Sequence, residues 1–445
     1  MDNQILSQVR SAGIVGAGGA GFPTHVKLAA TADTIVVNGA ECEPLLRVDQ
    51  QLMEQLTEKM ITGLLAAIEV TAAKEALIAL KGKYKQAISA LEKQIAGKPI
   101  KIKILDDFYP AGDEHVTVYE ATGRLVPQGG IPLKVNCVVL NVETLVNIAD
   151  ALAGQAVTHT YVTITGEVPQ PVTVKLPIGV SVAEAIALGG RTNLTGMKII
   201  DGGPMMGKFI TDFSQPITKT TKGLIVLPQH HALVRRRTLS VEKIMKQAKT
   251  ACMQCRYCTD LCPRYLLGHH LEPHKVMQSI RYMNITEDTM KMAFACSECG
   301  VCEQYACIMG LSPREVNAFL KRELTKAGAK PNPAPLNQAS HSMQPDRKIP
   351  VKRMISRLGL TSYDKYAPLT FDEYGANEVR IPLKQHVGAP SQPCVSQGQS
   401  VRQGELIAAI PDNALGANIH ASINGVVTAV TNTMIVINAR EGSQL

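Results

Sequence analysis

Tryptophan is absent from this 445-residue chain, and aromatic residues together make up only 4% of it. Sugar-binding and base-stacking surfaces are built from exposed rings, so both are disfavoured. Charge of one sign is not in large excess. The formal net charge is +8, and Arg235, Arg236 and Arg237 form the one tight basic run. That run reads as a solvated loop, and no nucleic-acid partner is expected. No apolar stretch approaches the ~18 residues a membrane helix needs, so the chain is not expected to be membrane-embedded. Met1-Asp2-Asn3-Gln4 is not a basic stretch leading into an apolar one, so no secretory signal is expected. These absences predict an intracellular protein, where thiols stay reduced. Eleven cysteines there point to metal rather than to disulfides.

What is present divides the chain into modules. Apolar content of 45% is enough for proper cores, and the length predicts several domains. β-type runs at Thr34–Asn38, Ala76–Leu80, Ile100–Leu105 and Val138–Asn141 alternate with helical patterns. One such pattern places Leu52, Leu56, Met60, Leu64 and Ile68 on a single face; others run over Tyr84–Ile95 and Glu143–Leu152. Alternation of this kind predicts an α/β layer over residues 1–155. Residues 156–235 carry short β runs around Val162, Ile164, Val172, Val174 and Leu176, then a helix at Val182–Leu188, and read as a small β-grasp module. Residues 236–328 are helical around the cysteines. A segment at 329–375, rich in Pro, Asn, Gln and Ser over its first half, reads as a linker. Short β runs with Gly and Pro over 376–445 predict a small all-β sandwich or barrel.

Eight of the cysteines fall into two runs. The first is Cys252-x2-Cys255-x2-Cys258-x3-Cys262-Pro263, and the second is Cys296-x2-Cys299-x2-Cys302-x4-Cys307. Three thiolates at this spacing wrap one face of a cubane, and the fourth reaches the neighbouring cluster. The pattern predicts two 4Fe–4S clusters. One is assigned to Cys252, Cys255, Cys258 and Cys307, and the other to Cys296, Cys299, Cys302 and Cys262. The second run departs from the bacterial ferredoxin pattern, with four residues before its last cysteine and Ile308 where proline is usual. Structural zinc, the alternative, takes separated pairs of ligands more often than a triplet plus one. Cys42, Cys137 and Cys394 are isolated and read as small buried hydrophobes. His269, His270 and His274, near the cysteines, read as surface or capping residues.

Gly16, Gly18 and Gly21 match G-x-G-x-x-G, but only Ile14-Val15 precede them and Phe22-Pro23 follow. The pattern alone is therefore weak evidence for a dinucleotide fold. Its glycines can expose backbone N–H groups to a phosphate, with Lys27 adding positive charge; otherwise the segment is a plain surface loop.

The stretch from Gly16 to Lys27 resembles the flavin loop of the NADH-binding flavoprotein subunit of respiratory complex I and of RnfC subunits. Asn38-Gly-Ala-Glu-Cys-Glu-Pro44, Tyr109-Pro-Ala-Gly-Asp-Glu-His115 and Asn141-Val-Glu-Thr144 resemble further segments of that superfamily, in the same order. The resemblance implies noncovalent FMN, contacted by Gly16, Gly18, Gly19, Lys27, Asn38, Glu41, Glu114, Asn141 and Thr144. It implies NADH as donor, facing Phe22, Lys27 and Glu43. Ala17 and Ala40 are departures, standing where the complex I pattern has Arg and Asp. The doubled cysteine run resembles RnfC and not the complex I protein. The β-grasp module is correspondingly SLBB-like. The C-terminal segments Gln385–Pro390, Gln397–Gly404 and Ile419–Gly425 resemble the RnfC barrel-sandwich module.

That module lies at the C-terminus here, an order similar to that of the cobalamin reductases of propanediol-utilisation microcompartments. The resemblance implies an NADH-dependent flavin and iron–sulfur oxidoreductase with no catalytic nucleophile. It implies a corrinoid, or a corrinoid-handling enzyme, as acceptor. It also implies a microcompartment location within the cytoplasm, with a shell protein as partner. The alternative is an RnfC-like electron-transfer adaptor for NAD(H) recycling with a different acceptor.

Overall fold

The computed structural model describes residues 4–282, 286–335, 337–372 and 374–440. The first three and last five residues, assigned above to the first and last modules, lie outside the described residues. The chain begins with α1 (Gln4–Ser11), whose Ile5, Leu6 and Val9 pack on the core, and α2 (Thr24–Leu28) after the glycine loop. Then come β1 (Thr34–Gly39), α3 (Val48–Gln55), α4 (Thr57–Thr71), β2 (Glu75–Lys81), α5 (Lys85–Ile95) and β3 (Ile100–Leu105). A short β4 (Phe108–Tyr109), α6 (Glu114–Thr122), β5 (Cys137–Asn141) and α7 (Val142–Leu152) complete this layer. The single helical pattern expected through Leu52–Ile68 is two helices, because the backbone leaves helical geometry at Leu56 (φ −119°, ψ 30°).

The sheet order is β3-β2-β1-β5, and every pairing is parallel. β1 and β5 read as near-continuous apolar runs, as strands covered on both faces do. β3 alternates Ile with the exposed Lys101 and Lys103, charges that blunt an open edge. Asn141 ends β5 and lies in register beside Asn38, the next-to-last residue of β1. The chain leaves β1 for β2 on one side and later inserts β5 on the other. The C-terminal ends of β1 and β5 therefore flank the position where parallel α/β sheets open a ligand crevice.

The second module contains β6 (His159–Gly166), β7 (Val172–Pro177), α8 (Val182–Ala187), β8 (Met197–Asp201), β9 (Lys208–Ile210) and β10 (Gly223–Pro228). Its sheet runs β7-β6-β10-β8-β9 and gains a sixth strand, Leu369–Thr370, parallel to β7. That strand comes from the segment read as a linker. The same segment supplies Ile349–Pro350, antiparallel to β4, and a helix at Val351–Arg357. Val351, Met354, Ile355 and Leu358 bury one face of that helix beside Tyr109 and Cys299, so the segment works as a strap across two modules. Helices Val241–Ala251, Pro273–Tyr282 and Pro313–Lys326 enclose the cysteine runs.

Two antiparallel sheets form the C-terminal module, one of four strands within Glu378–Ala439 and one of three within Gln392–His420. Its Ile381, Ile407, Ile419 and Ile437 belong to the same core as the α/β layer. The module also backs the glycine loop. Val387 N donates to the Gly21 carbonyl at 3.1 Å, and the buried Lys219 ammonium donates to the carbonyls of Gly13 and Asn418 at 2.7 Å each. Among the described residues, no helix is long and apolar enough to cross a membrane.

Candidate functional site: a cleft beside two cysteine sets

A cleft of about 550 Å³ opens at the C-terminal ends of β1 and β5, within the usual range for a small-molecule site. Gly16, Gly18 and Gly19 line one wall, with Phe22 and Lys27 beside them, and Asn38, Glu114, Asn141 and Thr144 line the floor and far side. The loop is fixed from below: Ala17 N donates to Thr144 Oγ1 at 3.1 Å. Asn141 is the N-cap of α7, its Oδ1 accepting from Glu143 N at 2.9 Å while its Nδ2 donates to Asp49 at 2.8 Å. A Cβ on Gly18 would lie 2.7 Å from Asn141, whereas one on Gly19 would meet no protein atom within 4 Å. The loop thus closes tightly on the α7 N-terminus at Gly18 and leaves open space at Gly19. An open cradle of glycine backbone beside a helix N-terminus suits a phosphate. Lys27 Nζ, half-buried, reaches Val139 O at 3.0 Å and Glu114 at 3.3 Å.

Two expected residues make hydrogen bonds that the reading by resemblance does not foresee. Glu41 is not among the cleft-lining residues. Its carboxylate accepts from Asp49 N in the first turn of α3, and burial, with the nearby Asp49 carboxylate adding, pushes its pKa up to about 8. Position in the sequence carried it into the site; the hydrogen bond turns it toward a helix start, where a carboxylate is favoured. Glu43 does line the cleft, but its oxygens accept from Met205 N and Met206 N at 2.9 Å each. A Cβ on Gly203 would overlap this carboxylate, so glycine there lets the β-grasp loop close over Glu43.

Several lining residues escaped the sequence reading. Arg264 enters the cleft from just after Cys262 and pairs with Asp113 at 2.9 Å, and Ser297 and Cys299 complete the wall. The signal for Arg264 was its place after Cys262-Pro263, where the outgoing helix begins. Tyr109 bridges the two regions, its hydroxyl donating to Cys299 O at 2.7 Å.

The cysteine runs share one backbone design. In each, the residues two and four places after the first cysteine are left-handed: Gln254 and Arg256 in the first, Glu298 and Gly300 in the second. The α-turn Tyr257–Asp260 leads to Cys262, and a π-turn over Val301–Ala306 leads to Cys307. A π-turn takes in one residue more than an α-turn, which accounts for the four-residue gap before Cys307. Cys252, Cys255, Cys258 and Cys307 line one cavity. Cys258 has Cys307, Cys252 and Cys255 as its electrostatic neighbours, whereas Cys262 has Cys299 and Cys296. Cys302 neighbours Cys296, Cys299, Cys258 and Cys262, so the two sets adjoin. Burial drives up the thiols of Cys258, Cys262, Cys296, Cys299, Cys302 and Cys307, Cys258 and Cys299 each to about 12. Metal ligation would remove their protons. Backbone donors already point at sulfur, with Glu298 N 3.4 Å from Cys296 and Leu311 N 3.3 Å from Cys307.

Comparison with known proteins matches residues 9–150 to the Nuo51 FMN-binding domain and 161–209 to the SLBB domain. Residues 251–312 match a 4Fe-4S dicluster domain, and 373–443 match the RnfC barrel sandwich hybrid domain. This is the module order expected from the sequence. A component of the Na(+)-translocating ferredoxin:NAD(+) oxidoreductase complex of Acetobacterium woodii is 36% identical over 271 residues, 59% of this chain and 58% of its own length. Cobalamin reductase PduS of Salmonella typhimurium is 46% identical over 437 residues, covering 98% of this chain and 96% of that protein. The protein of the same name from Citrobacter freundii is 47% identical over 435 residues, or 97% and 96% of the two chains. With identity of this order along almost its whole length, the chain belongs to the PduS family of cobalamin reductases.

Proposed function

We propose that the chain conveys electrons from NADH, through FMN and two 4Fe–4S clusters, to a corrinoid, as a cobalamin reductase. The observation that carries this reading is the shared wall of the cleft. The glycine loop and Asn141 stand on one side, and Ser297 and Cys299 stand on the other. FMN, when bound, would supply the conversion between the paired electrons of NADH and the single electrons that iron–sulfur clusters accept. The loop backbone at Gly16, Gly18 and Gly19 and the α7 N-terminus hold the phosphate end, with Asn38, Glu114, Asn141 and Thr144 around them. Lys27 offsets the anionic charge there. Phe22 and Lys27 receive the nicotinamide nucleotide, and Glu43 braces the Met205–Met206 loop at the cleft edge. Cys296, Cys299, Cys302 and Cys262 hold the cluster beside the flavin, since Cys299 lines the cleft. Cys252, Cys255, Cys258 and Cys307 hold the outer one. Kinship with the named cobalamin reductases supports the corrinoid acceptor. We extend the same kinship to residence in a bacterial microcompartment, with a shell protein as neighbour.

An anaerobic titration with NADH, followed by visible absorption and EPR, tests the donor side. Flavin bleaching and then the signals of reduced clusters are expected. Clusters that dithionite reduces while NADH leaves the flavin oxidised would instead favour an adaptor fed by another donor.

A further inference from the structure

Thirteen large apolar side chains are exposed among the described residues, and four of them surround one set of cysteines. Met253 (56% exposed) lies between Cys252 and Cys255, Tyr257 (50%) precedes Cys258, and Ile308 (51%) and Met309 (46%) follow Cys307. Within two positions of Cys262, Cys296, Cys299 and Cys302 no large apolar residue is exposed. The two cysteine sets therefore differ: one is covered and faces the flavin cleft, and the other sits under an open apolar surface. Exposed apolar side chains grouped this way, with a polar rim, mark an interaction site.

The rim is basic. A cleft of about 640 Å³ beside Tyr257 and Ile308 is lined by Arg347, Arg353 and Arg357. Arg353 and Arg357 are four residues apart on one face of the strap helix, both exposed, and neither makes a hydrogen bond or ion pair among the described residues. Lys352 adds a further exposed cation. The one carboxylate in this cleft, Asp260, is offset by Arg256 and Arg347 at 3.4 Å each.

We infer that this face is a further electron exit, beside delivery to the corrinoid, and that it docks a one-electron carrier protein whose own redox centre is ringed by acidic residues. The inference rests on reading the eight cysteines as cluster ligands. At the contact one electron passes at a time: the cluster held by Cys252, Cys255, Cys258 and Cys307 is oxidised and the carrier is reduced, with no bond made or broken. NADH is the ultimate reductant. The apolar centre excludes water over the shortest route to the cluster, and unpaired arginines steer an acidic face onto it.

The test uses the fully loaded chain and two probe proteins, acidic flavodoxin and basic cytochrome c. Flavodoxin binding is measured by calorimetry, and NADH-driven reduction of each probe by stopped flow at low salt. In Arg353→Glu/Arg357→Glu, flavodoxin binding and its reduction rate should each fall roughly tenfold, while cytochrome c is reduced as fast or faster. In the parent chain, added salt should slow flavodoxin reduction. Unchanged flavodoxin binding in the variant would overturn the proposal, as would an equal loss of rate with cytochrome c. Iron per chain and flavin bleaching by NADH are read on the same samples. A parent chain without iron or bleaching would contradict the electron-carrier reading itself; a competent parent with an indifferent variant would contradict only the docking face.

Discussion

Gly18 and Gly19 are neighbours with different reasons for being glycine. At Gly18 a side chain would strike Asn141 and disturb the α7 cap, so loss of flavin in Gly18→Val would mix two effects. Gly19 lines the cleft, and a side chain there would meet no protein atom within 4 Å. Gly19→Val should therefore weaken FMN by about 100-fold or more, roughly 2.7 kcal/mol, and leave iron content and melting temperature of the flavin-free protein unchanged. Fluorescence of released flavin and iron assay on the same sample check this. Glu41 makes a pH prediction. Its native pKa of about 8 lies above the ordinary carboxylate value, so between pH 4.5 and 8 the folded chain keeps a proton that the unfolded chain has lost. Stability from this group is then fully present below that window and declines as pH rises through it. Glu41→Gln retains an acceptor for Asp49 N without titrating. Its melting temperature should fall less between pH 5 and 8 than that of the parent, as calorimetry would show.

At the scale of elements, the π-turn before Cys307 carries the pairing of the cysteines. It returns Cys307 to the set of the first run, while the tighter α-turn sends Cys262 to the second. Cys262→Ala should accordingly alter the EPR signal of the cluster held by Cys296, Cys299 and Cys302 and spare the other. Selective loss of the signal belonging to Cys252, Cys255 and Cys258 would reverse the pairing. Much of this level was legible in the sequence. The parallel strands announce themselves by apolar runs, and the cysteine spacing favours iron–sulfur clusters over zinc. The strap did not, because the Pro-rich segment before it drew attention from Val351, Met354, Ile355 and Leu358, which already stand at helical spacing. The break at Leu56 and the turn of Glu41 toward α3 have no such signal. Apolar periodicity runs on through Leu56, and a carboxylate's partner eight residues away is set by the tertiary path of the loop.

The whole molecule arranges its modules around one route. The α/β layer offers the cleft proposed for flavin, the β-grasp loop at Met205–Met206 rests on Glu43 at its edge, and the C-terminal module braces the glycine loop through Val387 and Asn418. The helical module sets Cys299 against the cleft and the other cysteine set toward the surface. The proposed assignment of four cysteines to each of two clusters predicts about eight iron atoms per chain by iron assay. The measurement that bears most directly on this account is reduction of cob(III)alamin by the anaerobically reconstituted chain with NADH as the sole donor, followed by the visible spectrum of the corrin. The account expects conversion to cob(II)alamin by the parent chain and none by Gly19→Val. A parent chain that holds FMN and iron, is fully reduced by NADH, and still leaves cobalamin untouched would contradict it.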